Sequence, residues 1–401
     1  MASEKARVAV FLGGRSPEHD VSVITGLQAL KAIDQQRFEP FPVYVSPRGQ
    51  WLVGEALGER RNYLPDPRTQ SGLSEVTLAL GESGRGILVP KQGGFFGRRT
   101  RIEFDIALLA FHGLYGEDGQ IQGLFETANL SYTGMRTLAS ALLMDKPAAK
   151  RLLRGLDIPL LPDAVVTRNP GGGLPSAESL HALLGDIGFP CIVKPAHLGS
   201  SIGVGKADNL DEVRALLPAI FRLDRQAVIE PFIPNLVEYN LSVMRVDGAL
   251  RTSAIEKPKR AEELLDFRQK YLSGGAGKSG IKGEGGDSQG MLSLTRDINP
   301  PLAAGLDEKL RRWAMAAFAA VDGSGAPRVD FYGNAATGEC WLNEINPIPG
   351  SFGYFLWEAA DPPIRFTRLL TLLIEEARAR HRDGQLPDDP VPPEARLLRR
   401  P

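Results

Sequence analysis

An α/β fold that opens with a parallel sheet follows from three features of the amino-acid sequence. Residues 7–12 carry an apolar run that stops at Gly13-Gly14, and Asp20 to Ile33 is patterned as an amphipathic helix. A second apolar run, Phe41 to Val45, then follows at the spacing of a βαβ crossover. Strands buried on both faces read as continuous apolar runs, so the expected first unit is an open parallel sheet flanked by helices. With 401 residues the chain can build two or three cores. The expected divisions are 1–134, 135–229 and 230–380, with 381–401 as a tail.

The remaining elements follow in chain order. Residues 54–100 mix Gly, Pro and charge and read as an irregular excursion around a short pair of strands, after which Asp105 to Phe111 resumes the sheet. Ala139 to Leu156 is patterned as one helix, with its stop at Asp157 to Pro162. A helix over 177–187 precedes the strand Cys191 to Lys194, and a Gly/Ser loop leads into Ile202 to Lys206 as a hairpin. Strands are expected at Ala227 to Ile229, Leu241 to Val246 and Leu250 to Ile255, with Asp247-Gly248 as the turn of the last pair. Leu272 to Gly290, rich in Gly and poor in apolar residues, reads as a mobile surface loop. Helices are expected over Leu302 to Val321 and Pro363 to Ala379, before a poorly ordered Pro- and Arg-rich tail from His381.

Composition narrows the function. Forty-seven basic residues against 48 acidic ones leave no electrostatic footprint for nucleic acid or an anionic membrane, so the expected partners are small molecules. The two cysteines, Cys191 and Cys340, lie in apolar runs and make neither a disulfide framework nor a zinc site. The amino-terminal apolar run is too short for a secretory or membrane segment. A soluble cytoplasmic protein is expected.

The segment Pro327 to Ser351 carries the most chemistry. Two strand-like runs joined by a Gly/Asn turn hold Arg328, Asp330, Glu344 and Asn346. Residues two apart share a strand face, so Glu344 and Asn346 project towards Asp330, with Arg328 on the same side. Two carboxylates and an amide are oxygen donors for a hard cation, and Mg²⁺ typically takes one or two carboxylates together with substrate phosphates. Trp341, Leu342 and Ile345 make the second run apolar, and buried carboxylates need cations.

Lys146 and Lys194 are the phosphate candidates, since an ammonium is a compact charge with rotatable donors. Lys194 ends an apolar strand and is followed by Pro195, which biases it to extended backbone. The next loop, Gly199-Ser200-Ser201, offers N–H groups and hydroxyls to a γ-phosphate. Gly13-Gly14 makes either a tight βα turn or a close approach to an anionic ligand. His112-Gly113 through Glu117-Asp118-Gly119 is either a plain Gly-rich turn or the wall of a pocket. His19 reads as a satisfied helix-end histidine.

Six motifs stand in order: Gly13-Gly14-Arg15-Ser16-Pro17-Glu18-His19-Asp20-Val21-Ser22, His112 to Gly119, Met144-Asp145-Lys146, Val193-Lys194-Pro195 with Gly199-Ser200-Ser201, Arg328-x-Asp330, and Asn343-Glu344-x-Asn346. On these the chain resembles the D-alanine-D-alanine ligases of the ATP-grasp superfamily over most of residues 7 to 375. The resemblance implies an ATP-grasp fold behind the amino-terminal α/β domain, use of ATP with Mg²⁺ (two ions, with Mn²⁺ as a substitute), and a homodimer. It implies that Glu18 meets the ammonium of the first D-amino acid and joins Ser200 and Tyr271 in a hydrogen-bonded triad. His112 would orient the substrate carboxylate and Glu117 would hold its neighbours in place. Glu230 would meet the adenine amine, Phe232 and Ile233 would flank the base, and Glu238 would bind ribose, although it lies one residue further from Glu230 than the family pattern. Lys270 would join Lys146, Lys194, Ser200 and Ser201 around the phosphates.

The implied reaction is ATP-dependent ligation through an acyl phosphate, with Arg328 and backbone N–H groups near Gly350 stabilising the oxyanion. The rivals are the same chemistry on a different amine acceptor, and a nucleotide sensor without turnover. Where the family reads Thr-x-x-Ser-Leu after Pro-Gly, this chain has Ser351-Phe352-Gly353-Tyr354-Phe355-Leu356, which sets Phe355 at the carboxylate-binding serine position. A phenyl ring donates no hydrogen bond, so Ser351 or Tyr354 substitutes locally, or the acceptor carboxylate is held by other groups or is absent.

Overall fold

The computed structural model describes residues 5–63, 72–80, 84–91, 101–259, 296–385 and 395. Lys270, Tyr271 and the expected loop 272–290 lie outside the described residues, as does most of the expected tail.

The first strand, β1 (Ala6–Gly13), pairs in parallel with β2 (Phe38–Val45) and β7 (Ile106–Leu109). This is the expected parallel core, and Val8 to Leu12 in it are completely buried. The sheet is wider than the sequence reading foresaw. Beyond β2 come β3 (Trp51–Val53), β4 (Ser74–Ala79), β5 (Gly86–Pro90) and β6 (Ile102–Phe104), all paired antiparallel in the order β6-β5-β4-β3-β2-β1-β7. These strands are short and interrupted by Gly- and charge-rich connections, which hid their alternation.

Helix α1 (His19–Ala32) crosses from β1 to β2 and is tied to the sheet by one hydroxyl. Ser22 accepts from the Gly13 N–H at 2.8 Å and donates to the Ala110 carbonyl at 2.8 Å, fixing the helix start against the ends of β1 and β7. Gly13 has φ +91°, and a Cβ there would collide with the Val45 carbonyl, so the turn requires glycine.

Next come α2 (Gln120–Thr127), α3 (Thr137–Met144) and α4 (Lys146–Leu153). The single helix expected over 139–156 is therefore broken at Asp145. A continuous helix would set the Pro147 ring against the Leu143 carbonyl, so the chain stops and restarts with Asp145 as the new cap, its carboxylate accepting from Ala148 N–H at 2.8 Å. The restart aims Lys146 away from the helix flank it would otherwise occupy.

The second sheet is antiparallel, with β8 (Ala164–Thr167), β9 (Cys191–Pro195), β10 (Gly205–Ala207) and β11 (Gln226–Pro231) in the order β10-β9-β11-β8. Helices α5 (Ala177–Leu184) and α6 (Leu210–Leu223) cover its core of Val166, Leu180, Val193, Leu217 and Ile229. The third sheet runs β15 (Arg296–Ile298), β14 (Glu256–Pro258), β12 (Leu236–Val246), β16 (Arg328–Asn334) and β17 (Cys340–Asn346), with β13 (Ala249–Thr252) as the hairpin partner of β12. The turn of that hairpin is the expected Asp247-Gly248, both at positive φ. Helix α7 (Leu306–Ala320) packs Trp313, Ala317 and Phe318 into the core beneath this sheet. Short α8 (Tyr354–Glu358) precedes α9 (Phe366–Asp383), which extends past the expected start of the tail. Leu369, Leu370, Leu373 and Ile374 of α9 share one core with β1 and β7, so the chain folds back onto its own beginning.

Among the described residues no helix is long and apolar enough to cross a membrane.

Removing the cap that restarts α4 tests the cause assigned to the helix break. Asp145→Ala should lower stability by about 1 kcal/mol in chemical denaturation, the usual loss for an N-cap; no loss would mean that packing alone sets the break.

Candidate active site

The third sheet brings two carboxylates face to face. Register pairs Asp330 with Glu344 and Arg328 with Asn346 across β16 and β17. Asp330 is 7% exposed, and its carboxylate accepts two bonds from Arg328, at 2.6 and 2.7 Å, and one from the Asn346 amide at 2.9 Å. Glu344 is countered by Lys146 at 3.3 Å. Leu342 and Ile345 are buried beneath the pair and Trp341 is half-buried. The expected face is thus assembled: Arg328, Asp330, Glu344, Asn346 and Lys146 meet on one side of the sheet. Among the described residues no group of three or more His, Cys, Asp or Glu could hold a metal by itself. Two carboxylates and one amide suit a hard cation that shares its remaining positions with phosphate oxygens and water.

Register carries the row further. Asp330 faces Asn240 on β12, and Asn240 faces Glu256 on β14, where the amide donates to the Glu256 carboxylate at 3.0 Å. Glu238, two residues before Asn240, lies on this same face.

A second cluster centres on Glu230, 2% exposed at the end of β11. Lys194 approaches one carboxylate oxygen at 2.6 Å, and the Lys150 ammonium makes a short hydrogen bond to the other. Burial opposes ionisation of Glu230, but the charges of Lys194 and Lys150 outweigh it and hold its pKa down at about 2. Lys194 also donates to Asn343 at 3.2 Å, which ties the second sheet to β17. Both side-chain oxygens of Glu230 are therefore engaged by lysines. Lys150, 3% exposed, escaped the sequence reading because a helical lysine ordinarily faces water. Its spacing of four from Lys146 on α4 was the available signal. Phe232 lies beneath the Lys206 ammonium at 5.0 Å, and Ile233 is buried.

Three distant segments meet at the amino-terminal edge. The Ser200 hydroxyl donates a short hydrogen bond to Glu18, although 182 positions separate them in sequence. Ser200 and Ser201 both have left-handed backbone, φ 55° and 57°, and Ile202 N–H closes the turn onto the Gly199 carbonyl at 3.1 Å. Gly113 packs so closely on Glu18 that a Cβ would lie 2.5 Å from its carboxylate. Glu117 bridges, accepting from Gly113 N–H at 2.6 Å and from Ile348 N–H at 2.7 Å. The His112 ring is buried and neutral: desolvation lowers its pKa to about 4. Its Nε2 meets the Thr25 hydroxyl at 2.9 Å, and a further bond to the Ile348 backbone engages the ring. His19, as expected, is satisfied locally, by the Gly14 carbonyl and the Tyr44 hydroxyl.

The turn after β17 is left-handed over three residues, Ser351, Phe352 and Gly353, with φ of 51°, 56° and 60°. Thr25 accepts from the Ser351 N–H at 3.0 Å and Gln28 accepts from its hydroxyl, so Ser351 is turned towards α1.

Two family models match the chain: the D-ala D-ala ligase N-terminus model over residues 7–135 and the D-ala D-ala ligase C-terminus model over residues 152–375. A D-alanine–D-alanine ligase of Heliobacterium modesticaldum is 34% identical over 396 residues, covering 95% of this chain and 97% of the relative. The chain belongs to the D-alanine–D-alanine ligase family. The fold agrees with solved structures of the family: that of the Coxiella burnetii D-alanine-D-alanine ligase has a TM-score of 0.75 at 24% identity, covering 95% of this chain and 96% of that one. The Bacillus anthracis enzyme, solved in complex with ATP, has a TM-score of 0.62 at 24% identity and covers 96% and 100%.

Against the ligase pattern the acceptor side stands out. Phe355 lies beneath the Arg296 guanidinium at 4.5 Å, while Tyr354 stacks on Phe366 with ring centroids 4.6 Å apart. Ser351 is turned towards α1 and Tyr354 stacks on Phe366. Arg296 and Glu256 carry no sequence signal of their own: only strand register brings them in.

Glu117 supplies a pH test of the bridge. Burial, with the charge of Glu18 added, pushes its pKa up to about 8 against the pull of the two backbone N–H groups. The folded value exceeds the ordinary one, so the stability contributed by this group is complete below about pH 4.5 and is lost as pH rises through about 8. Melting temperature should fall between about pH 5 and pH 9, and the slope should be shallower in Glu117→Gln; equal slopes would acquit Glu117.

Proposed function

We propose that this protein uses ATP to join two D-amino acids through an acyl phosphate, releasing ADP, phosphate and a dipeptide. The observation that carries the reading is the shared sheet face on which Asp330, Glu344, Asn346, Lys146 and Arg328 converge, in a chain of this family. A nucleotide sensor would have no use for that convergence.

Mg²⁺ held by Asp330, Glu344 and Asn346, as two ions or replaced by Mn²⁺, would neutralise the β- and γ-phosphates when bound. Lys146 and Lys194 add fixed positive charge there, with Ser200 and Ser201 offering hydroxyl and N–H donors and Lys270 completing the set. The first D-amino acid binds with its ammonium at Glu18, whose orientation Ser200 sets and Tyr271 completes. Its carboxylate attacks the γ-phosphorus and ADP leaves. The amine of the second amino acid then attacks the acyl carbon. Negative charge builds on the carbonyl oxygen, met by Arg328 and N–H groups near Gly350, and phosphate departs. Arg328 is well prepared for this, since two bonds to Asp330 fix its plane.

We assign His112 and Glu117 to positioning. The ring is neutral and engaged by Thr25, so it shapes the pocket wall rather than pairing a carboxylate. Adenine is assigned to the β11 exit, with Phe232 and Ile233 against the base, Glu238 at ribose, and the Glu230 carboxylate meeting the amine while aligning Lys194. The reading also includes units at 1–134, 135–229 and 230–380, a homodimer and a cytoplasmic location.

Purified protein with ATP, Mg²⁺ and D-alanine should release ADP in step with dipeptide. Glu344→Gln should cut turnover at least about 100-fold with a cooperative melt retained, since it removes a ligand of the cation that would neutralise the phosphates. Near wild-type turnover in that variant would remove the cation assignment. Lys194→Ala should raise the KM for ATP by about tenfold or more, the cost of one charged hydrogen bond; an unchanged KM would place Lys194 outside the phosphate site.

A further inference from the structure

One cationic side chain lies at the far end of the active-site row and has no part in the reaction as described. Arg296 opens β15, and its Nη1 donates to Glu256 at 2.7 Å. Glu256 is the last member of the row Glu344–Asp330–Asn240–Glu256, whose members face one another across four adjacent strands. Asn240 donates to the second Glu256 oxygen at 3.0 Å, so the carboxylate is fixed from both sides and fixes the guanidinium in turn. The central carbon of that guanidinium lies over the Phe355 ring, 4.5 Å from its centre. The Arg296 side chain stays 27% exposed, and its Nε, buried, has no hydrogen-bond partner among the described residues.

From this arrangement we infer that Arg296, braced by Glu256 and floored by Phe355, binds the carboxylate of the amine acceptor. The inference rests on the ligase reading above. Two arguments carry it. A phenyl ring in place of a hydroxyl removes a donor, and the only cation stacked on that ring is Arg296, among the described residues. A guanidinium matches a planar carboxylate with parallel N–H bonds, and an aromatic floor holds its plane while covering one face from water.

The consequence is a change in how the acceptor is selected. One neutral hydroxyl contributes a modest hydrogen bond, whereas a charged fork gains most of its binding from the acceptor's negative charge. The acceptor should therefore be an amino acid with a free carboxylate, and amines without one should be poor.

The test measures ligation with D-alanine and with D-alaninamide as acceptor, in the wild type, Arg296→Ala and Arg296→Lys, with folding checked by thermal melting. Arg296→Ala should raise the KM for acceptor D-alanine by about 10- to 100-fold, the range for bonds to charged groups, with the KM for ATP unchanged. Arg296→Lys keeps the charge and loses the fork, so it should fall between the two. D-Alaninamide should be a poor acceptor in the wild type and no worse in Arg296→Ala. A loss of equal size with both acceptors, or an unchanged KM for D-alanine in either variant, would overturn the assignment while leaving the ligase reading intact. No ligation by the wild type with any pair of D-amino acids would overturn both. A melting temperature far below wild type in Arg296→Ala transfers the decision to Arg296→Lys, judged by the same ratio.

Discussion

The interaction on which the site depends is the antiparallel register that sets Asp330 directly opposite Glu344. Like charges facing each other across a strand pair repel, and partial burial sharpens the repulsion by removing water. The fold answers with two cations and an amide: Arg328 on the same strand, Asn346 two residues along the other, and Lys146 from the restarted helix. On the proposed reading each compensating group also serves the reaction: Lys146 at the phosphates, Asn346 at the cation and Arg328 at the oxyanion. The repulsion that burdens the folded chain is therefore also its affinity for cations, and the elements that supply the cations are held close to β16 and β17 by that need.

The other constraint is that the site is built from segments far apart in sequence. Glu18 to Ser200, Glu117 to Ile348, Thr25 to Ser351 and Lys194 to Asn343 each join different parts of the chain. Three of these links end on a buried carboxylate or on backbone N–H, so they cannot be loosened without leaving an unpaired polar group. Thr25 shows how tight the linkage is: it accepts from Ser351 N–H and meets His112 Nε2, so one hydroxyl joins α1, the loop after β7 and the turn after β17. Phe352 adds apolar weight to the same junction, being buried in the core that α9 shares with β1.

Local chemistry was legible in the sequence where a residue's role follows from its immediate neighbours. The βαβ start, the Asp247-Gly248 turn and the Asp330–Glu344–Asn346 face all come from periodicity or turn chemistry acting over a few residues. Two failures have equally local causes. The break at Asp145 was available in the succession of a capping residue and a first-turn proline, but the apolar pattern on either side read straight through it. The antiparallel half of the first sheet consists of strands as short as three residues, too brief for an alternation to register. Lys150, Asn240, Glu256 and Arg296 are different. Their surroundings are created by pairing between strands and by helix packing, and apart from the spacing of Lys150 from Lys146 nothing within a few residues of them announces it.

That difference tracks a division within the site itself. Where the first amino acid is proposed to bind, Glu18, Gly113, Glu117 and the Ser200 turn are held by backbone N–H groups, by a position where only glycine fits, and by left-handed residues that cost energy to maintain. Such a scaffold tolerates few substitutions, which is why its motifs read clearly in the chain. On the acceptor side, the contacts between Arg296, Glu256 and Phe355 involve side chains alone, carried on strands and a short helix whose backbone is indifferent to them. Side chains of that kind can be exchanged as a set without disturbing the fold: a hydroxyl can give way to an aromatic ring when a cation arrives beside it. The rigid half fixes which bond is made, and the exchangeable half is free to decide what is attached.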